Sequence, residues 1–417
     1  MPRSSVRFRP PALVLPPTVP WMLLWAFGPP AAAAQAVTDP PDPPDPIAAL
    51  ELARRFELAP RIAWRQGRRR LEAELGEAAA AGFQRERRRA AATGLRLKEI
   101  ALEVAAAAAQ LDLPLVLLKF AALEAAGLPV AESREACDVD VLAPPELAAE
   151  LAAALRFRGF RSSRLPAAEH HLPGLEHPAG GAVEVHLLLP GVRLAADGAS
   201  ATVAALAEGG LLAAAPGYPG RCSIPVPPVL AAHALAHGLG QHGFWPYSYS
   251  LLKMVGDLVD LAAAAGPAAP ELTAAALRLV AEDVGEAEAE AVFRLGAVLA
   301  SGCGADLLDP TLAVSQEDVD AALLLRHILA GRLDGGYAEA LRLGLFRAQP
   351  SDRRPARRLA AAVAGTVFLS RAQIDAIYGP PRGRLGYLGR RFARPFDLLA
   401  RLARYGWRAA RLRRRPF

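Results

Sequence analysis

The sequence is poor in cysteine and in aromatic residues. Its three cysteines, at 137, 222 and 303, are odd in number and lack metal or redox spacing, which argues against a disulfide framework. Only 6% of the residues are aromatic although 53% are hydrophobic, so the apolar content is largely alanine and leucine, which favours helix over strand. We therefore expect a helix-rich protein with a small sheet and free thiols, in a reducing, cytoplasmic compartment.

Signatures of several protein classes are also missing. The sequence contains no phosphate-binding loop with Gly-Lys-Ser/Thr and no Gly-x-Ser-x-Gly elbow, so it gives no support to a P-loop nucleoside triphosphatase or a serine hydrolase. Its apolar runs fall short of the roughly 20 residues that span a bilayer. These absences leave soluble enzymes of other types and binding proteins as the open classes.

The first 46 residues differ in composition from the rest of the chain. They hold 13 of the 37 prolines, a density that opposes a packed core, and we predict a disordered, dispensable leader over 1–46. Two alternatives stay open. In the first, translation begins downstream of residue 1, at Met22 or a later residue. In the second, the N-terminal arginines, "WMLLWAF" and "AAAAQA" form a secretory signal.

Hydrophobic spacing predicts three folded regions after this leader. Helical spacing with basic clusters over 47–110 predicts an N-terminal helical segment with a solvated charged face. Short apolar runs alternate with helical spacing over 111–195, which predicts an α/β core. Helical spacing dominates after Pro228, so we predict a helical domain over 196–381. The fold class is α+β, with a small mixed sheet between a helical segment and a larger helical C-terminal domain.

The remaining segment, 382–417, is strongly basic. Its twelve arginines and one aspartate give a net charge of +11, which leaves −5 for the rest of a chain whose total is +6. Leucine and aromatic residues lie among the arginines, which predicts a basic amphipathic segment that binds nucleic acid or an anionic membrane. The alternative is a helix docked on the acidic body.

The stretch 133–146 reads "SREACDVDVLAPPE" and places two acids in an apolar strand. Asp138 and Asp140 are two residues apart, so they face the same side, with their Cα atoms roughly 6.6 Å apart. At that separation two carboxylates repel by about 2–3 kcal/mol at an effective dielectric of about 20. We therefore expect a cation between them, which is either a divalent metal ion or a salt bridge from Arg134, Lys119 or the basic helices.

A later strand, within "GGAVEVHLLLP" (180–190), carries Glu184 and His186 on one face. If it lies beside the 138–143 strand, Asp138, Asp140 and Glu184 converge. Three carboxylates at one point form a site for hard divalent cations. Two such ions can stabilise the attacking and leaving oxygens of an in-line phosphoryl displacement.

Other polar groups have weaker patterns. "EHHLPGLEH" (169–177) is interpreted as a solvated polar loop, with substrate contact as the alternative. His233 and His237 share one helical face and are interpreted as packed histidines, with metal ligation as the alternative. Lys253 and Asp257 have the spacing of an i,i+4 pair.

In their order, these motifs resemble a known family. They are the strand "LVLLKF", Arg134 four residues before Asp138, "DVDVL", a helix that ends "RGF", and "VEVHLLL". They resemble the uncharacterised nucleotidyltransferase family of bacteria, in the polymerase-beta-like superfamily. Its pattern is a strand ending in Lys-Gly, then Arg-x-x-x-Asp-(Ile)-Asp, and later Glu-(Leu)-His. The likeness continues through "PPVLAAHALAHGLGQHGFWPYSYSLLKMVGDLVDL" and "YLGRRFARPFDLLARL", and so covers most of the chain from about residue 47.

The resemblance implies a sheet of nucleotidyltransferase type and a metal-dependent reaction. A nucleoside monophosphate would move from a nucleoside triphosphate to an unidentified acceptor, which stays open among nucleic acid, a small molecule and a protein. The implied catalytic residues, which would also bind Mg²⁺ or Mn²⁺, are Asp138, Asp140 and Glu184. The implied nucleotide-binding residues are Lys119, Arg134 and His186.

Phe120 departs from the family's pattern. It follows Lys119 where the family has glycine, a residue that lets backbone N–H groups approach a phosphate closely. We expect the ring to obstruct that approach, so that Phe120→Gly raises nucleotide affinity. The alternative to an enzyme is therefore a catalytically degenerate protein that keeps the fold for binding or regulation.

Overall fold

The computed structural model describes residues 18–28, 45–162, 170–194, 200–241, 251–280, 286–308 and 315–333, together with Gly389 and Phe392. Apart from those two residues, the basic segment predicted over 382–417 lies outside the described residues. The same holds for 334–381, the end of the predicted helical domain.

Helices make up most of the described structure. In chain order they are α1 (Thr18–Phe27), α2 (Pro46–Arg55), α3 (Ala59–Gln110), α4 (Lys119–Ala125), α5 (Val130–Ser133), α6 (Ala148–Phe157), α7 (Val203–Glu208), α8 (Pro227–Leu235), α9 (Leu251–Ala265), α10 (Ala269–Leu279), α11 (Glu286–Ser301) and α12 (Gln316–Leu333). A π-helix, Ala236–Gln241, continues α8, and 3₁₀ turns cover Gly266–Ala268 and Cys303–Leu308. Within the ranges described above, no helix is both long enough and apolar enough to cross a membrane.

The strands are short. They are β1 (Leu115–Leu117), β2 (Asp138–Leu142), β3 (Arg161–Ser162), β4 (Leu175–Glu176), β5 (Ala182–His186), β6 (Leu189–Arg193), β7 (Ser200–Ala201), β8 (Leu212–Ala214) and β9 (Cys222–Pro225). Seven of them form one mixed sheet in the order β3-β4-β5-β2-β1-β9-β8, and β6 pairs with β7. The predicted α+β class, with a small mixed sheet and helical flanks, is confirmed.

The core sheet continues further along the chain than predicted. Strand β9 pairs in parallel with β1, with Leu115 opposite Cys222, and β8 pairs antiparallel with β9. The prediction of a purely helical region from 196 is therefore wrong for 212–225. Strands of three and four residues are too short to show a clear period of two, which is why the pattern missed them.

The prediction of disorder over 1–46 is wrong for α1. Its large apolar side chains are buried in the hydrophobic core: Trp21 is 2% exposed, Phe27 is 1% exposed, and Met22 and Leu23 are fully buried. The helix packs against α2, α3 and α11. Proline did not prevent this helix because Pro20 lies in its first turn, where a missing N–H costs nothing.

Side chains of α3 hold the C-terminal end of α1. Arg61 Nε donates to the carbonyl of Ala26 at 2.8 Å, and Gln66 Nε2 donates to the carbonyl of Trp25 at 2.8 Å. The last carbonyls of a helix lack intrahelical partners, so these bonds satisfy groups that would otherwise be buried unpaired. The same Arg61 forms a buried salt bridge with Asp260 of α9 at 2.7 Å. Helix α1 is thus an integral part of the packed structure.

Helix α3 also sets the position of the acidic strand. It kinks at Gly67 and Gly76, whose φ values are 71° and 78°. Further along, a Cβ atom at Gly94 would lie 2.8 Å from the carbonyl oxygen of Ala131. Glycine therefore allows α3 to approach α5 at a distance that a side chain would prevent. Helix α5 leads directly into Arg134 and strand β2.

Candidate metal centre

The two strands that carry the predicted acids are neighbours in the sheet. They pair in parallel, with Asp138 opposite Ala182, Asp140 opposite Glu184, and Leu142 opposite His186. Residues that are opposite each other on adjacent strands point to the same side of the sheet. The predicted neighbourhood of these strands is confirmed, and it places the acids and His186 on one face.

Three of these side chains, those of Asp140, Glu184 and His186, form a compact group that could hold a metal ion, and we call this candidate site the metal centre. Their ligand atoms all lie within 4.8 Å of one another, and among the described residues no other group of this kind is found. His186 Nε2 lies 2.9 Å from Asp140 Oδ1 and 3.6 Å from Glu184 Oε2. Asp138 lies further along the same face. Two of the predicted metal-binding residues and one predicted nucleotide-binding residue thus meet.

The Lys119 ammonium supplies a cation beside Asp140. Its Nζ lies 2.7 Å from Asp140 Oδ1, and the Asp140 side chain is 1% exposed. Lys119 begins α4 instead of ending the strand, and its φ of 44° is in the left-handed region. That conformation costs a non-glycine residue on the order of 1 kcal/mol, and such strain often occurs at functional sites.

Burial and charge separate the three acids. Burial alone would raise the pKa of Asp140, but the Lys119 ammonium and the His186 imidazole hold it well below its usual value. Burial and the charge of Asp140 raise the pKa of Asp138. The same two causes raise the pKa of Glu184 to about 7. Asp140 is therefore ionised at neutral pH. Ionisation of Asp138 and Glu184 is unfavourable, and a second cation would remove that free-energy cost.

Arg134 is bonded to the helical part of the molecule. Its Nε donates to Asp257 of α9, at 2.8 Å to Oδ1 and 3.0 Å to Oδ2. Lys253, which the spacing paired with Asp257, forms a salt bridge with Glu57 at 2.7 Å. The salt bridge that was predicted as one explanation for the acidic strand is formed by Lys119 with Asp140.

A small cavity lies beside Lys119, which contacts Asp140 of the metal centre. It has a volume of about 20 Å³, and its polar lining consists of Lys119, Arg134, His233, His237 and Asp257. That volume holds about one water molecule. His237 lies in the π-helix Ala236–Gln241, and π-helical turns are frequent at functional sites.

Two histidines that the pattern placed in a solvated loop lie against the metal centre. The ring centroids of His170 and His171 are each 5.7 Å from that of His186. His171 also forms a backbone bridge with His186, which ties the loop to strand β5. The solvated-loop interpretation is therefore wrong for these two residues. No local sequence signal could have shown it, because the contact joins a loop to a strand fifteen residues later.

His233 leads to a prediction about acid stability. Burial and the charge of Lys119 lower its pKa to about 3, compared with about 6.5 in an unfolded chain. Between these values the unfolded chain binds a proton here that the folded chain excludes, so stability falls as the pH falls. We expect His233→Gln to weaken this dependence between pH 6.5 and 3. Urea unfolding at several pH values measures it, and identical dependences in both proteins would contradict the prediction.

The Phe120 ring points into the core. It is 2% exposed and belongs to the hydrophobic core cluster, and it does not line the cavity beside Lys119. The obstruction predicted from the sequence therefore finds no support in the structure. The departure from the family's glycine is accommodated by turning the side chain inward.

Phe120→Ala should accordingly change stability and leave nucleotide affinity alone. Removal of a buried ring costs about 3–5 kcal/mol of unfolding free energy. Phe157→Ala is the matched control, since Phe157 is 96% exposed and its removal should cost less than about 0.5 kcal/mol. Urea unfolding and calorimetric titration with Mg-nucleotide provide the two measurements. A folded Phe120→Ala protein with higher nucleotide affinity would contradict this prediction.

Comparison with known proteins gives one family match. Residues 42–276, more than half of the chain, match the model of a family described as uncharacterised nucleotidyltransferase. The matched region contains the metal centre, Lys119, Arg134 and the polar lining of the cavity, while α1 precedes it. No curated protein and no solved structure matches the chain.

Proposed function

The chain belongs to the uncharacterised nucleotidyltransferase family, and we propose that it transfers a nucleoside monophosphate from a nucleoside triphosphate to an acceptor hydroxyl or phosphate. Pyrophosphate is the leaving group. The observation that carries the proposal is the convergence of Asp140, Glu184 and His186 from two neighbouring strands of the matched region. Phosphoryl transfer by metal ions needs such a cluster to hold the ion beside the reacting oxygens.

The residues present fit a divalent metal ion. Two carboxylates and an imidazole are ordinary metal ligands, and Asp140 already binds a cation in the form of the Lys119 ammonium. Asp140, Glu184 and His186 would hold the ion, with Asp138 beside them. The bound ion would neutralise charge that develops on the transferred phosphoryl group and on pyrophosphate.

The remaining residues act on the substrates. Lys119 and Arg134 supply positive charge for the phosphates, and the Arg134 guanidinium is held by Asp257. Glu184 completes the site beside Asp140 and orients or deprotonates the acceptor. Asp138 carries a charge that burial disfavours until a second cation arrives.

The rival function is that of a catalytically degenerate member of the fold, which serves in binding or regulation. Its support was the expected obstruction by Phe120, and the burial of that ring removes this support. Nucleotide binding with all three centre residues present but no transfer to any acceptor would favour the rival.

Calorimetric titration with a non-hydrolysable nucleoside triphosphate tests the proposal. We expect binding in the presence of Mn²⁺ or Mg²⁺, little binding with chelator, and loss of metal-dependent binding in Asp140→Asn. Glu176→Gln is the control, because Glu176 is an exposed carboxylate of the same sheet. Nucleotide binding that is independent of metal and of Asp140 would count against a metal-dependent transferase.

A further inference from the structure

We propose that the metal centre binds a first-row transition-metal dication, such as Mn²⁺ or Zn²⁺, in preference to Mg²⁺, because His186 gives it a nitrogen ligand. This inference rests on the proposed function, since it names the class of ion that the same site selects. Sequence reasoning implied an all-carboxylate site of Asp138, Asp140 and Glu184. In the structure, an imidazole lies together with Asp140 and Glu184.

The facing atoms have the separation of ligands to one ion. His186 Nε2 is the ring atom nearest the carboxylates, 2.9 Å from Asp140 Oδ1 and 3.6 Å from Glu184 Oε2. Ligand atoms bound to one ion at about 2.1 Å lie roughly 3 Å apart. Small side-chain shifts therefore suffice to place an ion among the three groups.

The imidazole cannot easily turn away from an incoming ion. His186 is 2% exposed, and the rings of His170 and His171 each lie 5.7 Å from it. An ion that reaches both Asp140 and Glu184 therefore meets Nε2 as well. A small hard ion would gain two oxygens and face a nitrogen that it binds poorly.

Ion selectivity follows from ligand chemistry and from competition with Lys119. Mg²⁺ favours six oxygen ligands in octahedral geometry and gives up its water molecules reluctantly. Transition-metal dications accept imidazole readily, and their affinity for mixed nitrogen and oxygen sites is higher. The Lys119 ammonium contacts Asp140 Oδ1 at 2.7 Å, so its charge opposes any dication at this carboxylate, and the nitrogen ligand adds to the affinity of an ion that accepts it.

Calorimetric titration of the full chain with Mg²⁺, Mn²⁺ and Zn²⁺, without nucleotide, tests this inference. We expect Mn²⁺ and Zn²⁺ to bind at least tenfold more tightly than Mg²⁺. His186→Asn should lower the Mn²⁺ affinity at least tenfold and change the Mg²⁺ affinity by less than about threefold. His177→Asn is the control, because His177 contacts Glu103 and is not part of the metal centre, and the Mn²⁺ affinity of this variant should stay near the wild-type value.

Pulsed electron paramagnetic resonance of Mn²⁺ bound to the wild type provides a second readout that needs no variant to fold. Coupling to an imidazole ¹⁴N is expected. Absence of that coupling, or a Mg²⁺ affinity equal to that for Mn²⁺, would overturn the inference while the proposed function stands. Failure of all three ions to bind, with or without nucleotide, would overturn both this inference and the proposed function.

Discussion

Asp140→Asn is expected to lower the unfolding free energy of the metal-free protein by about 3–5 kcal/mol, because it removes the partner of a buried cation. Lys119 Nζ and His186 Nε2 both contact Asp140 Oδ1, at 2.7 Å and 2.9 Å, and the Lys119 side chain is only 15% exposed. The depressed pKa of Asp140 means that its charge stabilises the fold at neutral pH. That contribution disappears as the pH falls through the folded-state pKa. The variant should also lose any melting-temperature increase caused by metal.

Asp138→Asn is the matched variant, one position along the same strand face, and its effect on stability should differ in sign. Burial and the charge of Asp140 raise the pKa of Asp138, so its ionised form is disfavoured in the fold. Removal of that charge should leave the metal-free protein equally stable or more stable at pH 7. Thermal melts of both variants, with and without Mn²⁺, make the comparison. Equal destabilisation by the two substitutions would contradict the assignment of Lys119 to Asp140.

Deletion of α1 is expected to unfold the protein or to lower its melting temperature by tens of degrees. Loss of a buried Trp or Phe alone costs about 3–5 kcal/mol, and whole domains are stable by only about 5–15 kcal/mol. Trp21 and Phe27 are both at most 2% exposed. Deletion also removes the Ala26 carbonyl that accepts a hydrogen bond from Arg61. The buried salt bridge between Arg61 and Asp260 would then be exposed to solvent.

Two truncations separate α1 from the segment before it. A chain that begins at Pro44 lacks α1 but keeps Asp45, whose side chain accepts a hydrogen bond from the Ala48 N–H at the start of α2. A chain that begins at Pro17 keeps α1 and should melt near the full-length temperature. If both truncated proteins melt like the full chain, the packing of α1 does not contribute to stability, and the leader is dispensable as its composition suggested.

The side of the sheet that carries the site residues was predictable, because side chains in a strand alternate with a period of two. Asp-x-Asp and Glu-x-His each put their polar groups on one side of a strand, and Asp140 and Glu184 do face the same place. Their pairing depends on strand order, which local spacing does not contain and which the family resemblance implied. The Lys119 ammonium neutralises the buried Asp140, although its strained position at the start of α4 could not be predicted from an apolar run.

Contacts between distant segments explain most of what the sequence did not show. Arg134 and Asp257 are 123 residues apart, and Arg61 and Asp260 are 199 apart. Neither pairing leaves a periodic signal, because each joins α9 to a distant part of the chain. For α1, the overall proline count was a poor guide, since what matters is whether a proline lies in the first turn or in the interior of a helix.

The fate of the α-phosphate is the most direct test of the proposed reaction. Purified protein is incubated with Mn²⁺, a cell extract as the source of acceptor, and nucleoside triphosphates labelled on the α-phosphate or on the γ-phosphate. The account predicts that α-label appears in a product and γ-label is released as pyrophosphate, with both lost in Asp140→Asn and retained in Glu176→Gln. Transfer of γ-label to a product, or α-label transfer that persists in Asp140→Asn, would contradict nucleotidyl transfer at this metal centre.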